Sequence, residues 1–159
     1  KVNKDFSKLL ASCLETKRKI VQKDPLDQKG IREVLNFGHT IGHALETLAK
    51  GKISHGEAVW WGMAVEPMLL GKSGEKMSLI ALQYLQKLRS DLPKEFFLSE
   101  EKWSQQFSSD KKRDKQKIKM SVLWAPGKVR RIQVKNEDLL KALKDFPAFF
   151  QRAGKGLSK

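Results

Sequence analysis

From Arg32 to Glu46 the chain reads "REVLNFGHTIGHALE", and "SHGEAVWWGM" follows from Ser54 to Met63. Together these stretches hold all three histidines of the protein, His39, His43 and His55. His39 and His43 are four residues apart, so on a helix they share one face. Imidazole is a common zinc ligand and a ready acid or base near neutral pH. A helix, the polar loop "GKISHG" and a returning helix can bring His55 against the His39 face. That path makes a three-imidazole cluster the sharpest chemical reading. The bland reading is that an HxxxH spacing also arises on ordinary helix surfaces. The pattern is not HExxH, so the glutamate base of a zinc protease is missing. Glu46 and Glu57 are either imidazole-orienting partners or ordinary helix surface charge.

The glycines add to the signal. An interior helical glycine costs about 1 kcal/mol relative to alanine. Gly38 and Gly42, four apart, open a smooth strip for another helix or for a ligand. Arg32 and Asn36 precede them. An Arg–Asn–His–His track beside such a strip is suited to carboxylate, hydroxyl and phosphate groups.

The elements that must carry these residues are read from apolar spacing. Phe6 to Val21 has helical periodicity, and Pro25 and Gly30 end it. Helices are predicted at about Ile31–Ala49, Gly56–Leu70 and Lys76–Arg89, the last two separated by "GKSGEK". Glu100–Phe107 is a short helix candidate. The period then changes to alternation in "KIKMSVLWA", with "PGK" as a turn and "VRRIQV" after it, which reads as a β-hairpin at about 117–134. Asn136 is placed to cap a last helix bounded by Pro147. The fold class is therefore mainly α with one small hairpin. One domain is expected over residues 1–152, with 153–159 a disordered tail.

Composition narrows the function classes. A length of 159 residues with 40% hydrophobic content suits one compact domain or a piece of a larger protein. No apolar run approaches the roughly 18 residues of a membrane span, and "KVNKDFSKLL" has no signal-peptide core. The single cysteine, Cys13, fits a reducing cytoplasm and reads as a buried structural thiol. The net charge of +14 admits nucleic acid, an anionic small molecule or a solvated surface. The densest basic run, "KKRDKQKIK" from Lys111 to Lys119, has no interleaved aromatics, and no nucleic-acid motif occurs. A solvated surface with one anion site is the expectation, with no specific nucleic acid and no membrane as partner.

The double motif resembles the zinc-site core of the 3-dehydroquinate synthase family, R-x-x-L-N-F/L-G-H-T-x-G-H-A-x-E followed by H-G-E-A-V-x-x-G-M. The matching residues run from Arg32 through Asn36, Gly38, His39, His43 and Glu46, then from His55 to Val59, with Gly62 and Met63. "KRKIVQKD" and "SDKKRDKQKIKMSVLWAPGK" carry weaker similarity. The resemblance implies that His39 and His55 bind zinc, or another divalent metal such as cobalt. It gives His43 a role in proton transfer, and Arg32 and Asn36 roles in substrate binding. Lys17 matches a substrate-contacting lysine if the "DPLDQK" loop holds one extra residue; otherwise Arg18 does. Lys111 or Lys112 matches a phosphate-contacting lysine.

The implied reaction converts a seven-carbon sugar-acid phosphate, 3-deoxy-arabino-heptulosonate 7-phosphate, to 3-dehydroquinate and phosphate in the shikimate pathway. It uses transient oxidation by NAD, phosphate elimination and an intramolecular aldol. A cytoplasmic homodimer is implied for the full-length protein. The family's third zinc ligand, a glutamate in G-x-x-E-x-x-K, has no counterpart in this sequence, and neither does its N-terminal NAD-binding domain. The chain is thus expected to be the C-terminal helical domain, weak in zinc binding and inactive alone. Trp60 and Trp61 depart from the small residues usual there. The alternatives are a related sugar-phosphate cyclase and a basic non-enzymatic binding module.

Overall fold

The computed structural model describes residues 4–88, 90–107 and 117–157. Helix α1 (Lys4–Lys23) leads into the "DPLDQKG" loop. Asp24 holds that loop: its buried carboxylate accepts the backbone N–H groups of Gln28, Lys29 and Ile31 at 2.9–3.1 Å. A 3-10 turn at Arg32–Asn36 follows, then α2 (His39–Ala49) and α3 (His55–Val65). A second 3-10 turn (Glu66–Leu70) joins α4 (Lys72–Lys87). A third (Lys94–Phe97) precedes α5 (Glu100–Phe107). Strands β1 (Ile118–Ala125) and β2 (Lys128–Val134) form an antiparallel hairpin, and α6 (Asn136–Leu157) ends the described fold. The architecture is mainly α with one hairpin, as the sequence predicts.

Several boundaries differ from that prediction. The helix expected over Ile31–Ala49 is broken: Phe37 is extended, with ψ 138°, and Gly38 turns left-handed at φ 79° before α2 begins. A positive φ of this kind is open to glycine without a Cβ penalty. The helix expected to reach Leu70 stops at Val65. Pro67 has no N–H to give to Met63, and its ring would meet that carbonyl, so the chain tightens into a 3-10 turn. Helix α4 begins at Lys72, inside the predicted linker, with its first turn packed on the Glu66–Leu70 turn.

Helix α6 runs through Pro147 to Leu157, so residues 153–157 are helical rather than a tail. Burial of Phe146, Phe149 and Ala153 on one side of α6 outweighs the hydrogen bond that Pro147 removes. Asn136 does not cap this helix. Its Nδ2 donates to Ser104 Oγ at 2.8 Å, while Asp138 accepts from Lys135 N–H at 3.1 Å.

The core gathers around α3, which is apolar on nearly every side and so must be covered by neighbours. Trp61 is fully buried and meets Phe96, Phe146 and Phe150 with ring centroids about 6 Å away. Its indole N–H donates to Ser90 Oγ at 3.1 Å, and that hydroxyl donates to Glu57 at 2.5 Å. β1 lies against α4 and the Arg32–Asn36 turn. In contrast, α1 packs on that turn alone among its stronger contacts, and Phe6, Leu9, Leu10 and Leu14 are exposed. Cys13 is also exposed, not buried, because the apolar side of α1 faces away from the core. Among the described residues no helix is long and apolar enough to cross a membrane.

Candidate metal centre

The two motif segments become an antiparallel helix pair. The loop between Ala49 and His55 returns the chain, with Lys50 left-handed at φ 51° and Ser54 accepting Glu57 N–H to start α3. The helices are held closer than side chains would permit. A Cβ on Gly42 would stand 3.0 Å from Val59 Cα, and one on Gly62 would stand 1.9 Å from Gly38 O. The glycine strip is therefore cleared for α3 and not for a ligand.

This approach brings the histidines together. Their ring centroids form a near-equilateral triangle: His39–His43 at 5.3 Å, His39–His55 at 5.4 Å and His43–His55 at 5.5 Å. One nitrogen from each lies within 4.8 Å of the others. His39 Nδ1 is 3.1 Å from Phe37 O, and His55 Nδ1 is 3.0 Å from Glu46 Oε2. Each contact turns the ring so that Nε2 is left for a ligand, the arrangement usual for metal-bound imidazole. Glu46 thus fills the orienting role open to it in the sequence. Glu57 does not; it bonds to Ser90. The donor set, three imidazoles of which His39 and His55 have Nδ1 engaged, fits a zinc-type divalent ion.

A cleft beside the triangle is lined by Asn36, His39, Thr40 and His43 together with Glu33, Lys119 and Ser121. Asn36 and His43 thus share one hollow, as the spacing suggests. Arg32 does not join them. Its guanidinium lies 3.5 Å from Pro25 O, on the loop side of the broken helix. Lys17 is exposed on α1, and Arg18 is paired with Glu15 at 2.7 Å. Lys111 and Lys112 lie outside the described residues. Lys119 and Ser121 were not singled out by the sequence; they reach the cleft because β1 packs on the Arg32–Asn36 turn. Trp60 and Trp61 do not line it: Trp60 stacks on Tyr84 at 5.1 Å, and Trp61 is core.

Behind α2 lies Glu66, 1% exposed. Oε2 accepts Gly38 N–H at 2.7 Å and Oε1 accepts Ile41 N–H at 3.0 Å. Burial pushes this carboxyl up to about 8, against the pull of the Ile41, Gly38 and Thr40 N–H groups. The sequence signal was available: an acid closing the apolar run "AVWWGMAV", just before Pro67.

The chain matches the family described as 3-dehydroquinate synthase C-terminal over residues 1–113. It is 37% identical over 139 residues to the 3-dehydroquinate synthase of Enterococcus faecalis, covering 82% of this chain and 37% of the relative. Over 150 residues it is 33% identical to that of Clostridium tetani, covering 91% and 40% respectively. A shorter match, 50% identical over 77 residues, covers 48% of this chain and 20% of the Chlamydia caviae protein of the same name. The matched chain thus spans well under half the length of these relatives. With the family match extending over most of the chain, and both histidine segments inside it, this protein belongs to the 3-dehydroquinate synthase family.

Proposed function

We propose that this chain is the metal- and substrate-binding part of a 3-dehydroquinate synthase. The full protein would convert 3-deoxy-arabino-heptulosonate 7-phosphate to 3-dehydroquinate and phosphate, as a cytoplasmic homodimer with NAD bound mainly outside this chain. The observation that carries the reading is the histidine triangle, with Nδ1 of His39 and of His55 engaged and one ring nitrogen from each of the three histidines within 4.8 Å of the others. His39 and His55 would hold the ion. When bound, zinc supplies Lewis acidity toward substrate oxygens.

The chain's own residues supply the rest. His43, exposed at the mouth of the cleft, is suited to take or give a proton at a ring nitrogen. It is also the nearest third donor where no carboxylate from beyond this chain is present. Asn36 offers an amide donor and acceptor to a hydroxyl. Lys119 adds a cation on the hairpin side, apt for a carboxylate or phosphate. Arg32, held toward Pro25, is placed to act only if the "DPLDQKG" loop shifts. The tryptophans lie away from the cleft and give no support to a different cyclase substrate.

The test is phosphate release by the full-length protein with NAD, zinc and the seven-carbon substrate. His55→Ala should remove turnover. Unchanged turnover in that variant, or release only from a rival cyclase substrate, would overturn the assignment.

A further inference from the structure

We infer that Glu66 is a positioning residue for the metal centre: its carboxyl group grips the main chain on both sides of His39 and so aims that imidazole at His55. The inference rests on the metal reading above. Helix α2 lacks a local cap. Its N-cap residue is Gly38, which has no side chain to accept a first-turn N–H. The groups left over at such an end need partners, above all when buried. Glu66 provides them from 28 residues away in sequence. It takes Gly38 N–H on one oxygen and Ile41 N–H on the other, with Thr40 N–H also directed at it.

His39 sits between these anchor points. Its ring is further tied to Phe37 O, the residue before Gly38. The chain from Phe37 to Ile41 is thus fixed at five successive residues, and the azimuth of His39 follows from that. Glu66 comes from the end of α3, whose first residue is His55. One helix therefore carries a ligand at its start and the clamp for the other ligand at its end. Among the described residues Glu66 has no cationic partner, so backbone N–H groups are its whole polar environment.

Glu66→Gln keeps the shape but turns an amide N–H₂ toward a backbone N–H. Zinc affinity of the 159-residue chain would be measured by competition with a chelator at one fixed pH. Histidine ring nitrogen resonances would be recorded in the metal-free chain. The expected result is an affinity loss of about tenfold to a hundredfold, with the His39 resonances moved and those of His55 little changed. The core variant Phe149→Leu, on α6 and not among the groups that Glu66 or the histidines touch in the hydrogen bonds and ring contacts above, controls for destabilisation and should keep zinc affinity. Affinity within twofold of the parent for Glu66→Gln, or an equal loss in Phe149→Leu, would overturn the inference. If Glu66→Gln does not fold, Glu66→Asp keeps the carboxyl group but shortens the reach, and unmoved His39 resonances there would overturn it equally. If the parent chain takes no zinc, the metal reading fails by itself, and the His39 resonances still decide whether Glu66 positions that ring.

Discussion

Helices α1 and α2 read alike in the sequence and fare differently in the structure. Both carry apolar residues at helical spacing. In α2 the stripe is fully used: Ile41 and Leu45 are 0% exposed, and Gly42 lies against the backbone of α3. In α1 the corresponding residues face solvent, with Leu9 62% and Leu14 59% exposed. Apolar periodicity thus tells that a helix has a face to bury, but not what buries it. What distinguishes α2 is glycine at the contact, which allows backbone to meet backbone.

The difference can be broken most sharply at Gly62. In Gly62→Ala the new methyl would overlap Gly38 O, so we expect a loss of about 3 kcal/mol or more, or failure to fold. Urea unfolding measures this, and a loss under 1 kcal/mol would show that the helices can part without cost. Next in size is the metal itself. His39→Ala and His55→Ala should each remove one-to-one zinc binding by the chain, and Glu46→Gln should weaken it about tenfold, read by calorimetric titration. Full affinity in either alanine variant would mean that the triangle is not the ligand set.

A smaller effect concerns pH. The Glu66 carboxyl titrates near 8 in the folded state, above its ordinary value of 4.5. Between these values the folded chain holds the proton more firmly than the unfolded one. Its contribution to stability is therefore complete below about pH 4.5 and is lost as pH rises through about 8. The slope it adds is at most about 1.4 kcal/mol per pH unit. Unfolding curves from pH 5 to pH 9 for the parent and Glu66→Gln isolate it, since other groups are common to both. Identical slopes would contradict the shift. The smallest effect is expected in α1. Leu9→Lys and Leu14→Lys should change stability by no more than about 0.5 kcal/mol, and a thiol reagent should reach Cys13 in the folded chain. A loss above 1 kcal/mol would mean that the α1 stripe is packed after all.

The parts legible in the sequence are those written in side chains. Among the described residues the six helices, the hairpin at Ile118–Val134 and the meeting of three histidines follow from spacing and turn residues. The break at Phe37–Gly38 was hidden because a 3-10 turn and an α-helix space their apolar residues alike over five positions. That break is why Arg32 leaves the track on which Asn36 stays. Glu66 was missed because its partners are main-chain N–H groups, which have no letter in the sequence. Lys119 was missed because its place depends on where a whole hairpin docks.

The short distance along the chain from Asn36 to Glu66 has a kinetic consequence. The three imidazoles and their buried clamp occupy one helical hairpin closed by the Lys50–Ser54 loop. Contacts this local form early, since little loop entropy is lost in closing them. On a ribosome the hairpin would emerge while β1, β2 and α6 were still unmade. The Trp61 face of α3 would then stay uncovered until Phe146 and Phe150 of α6 arrive to pack on it.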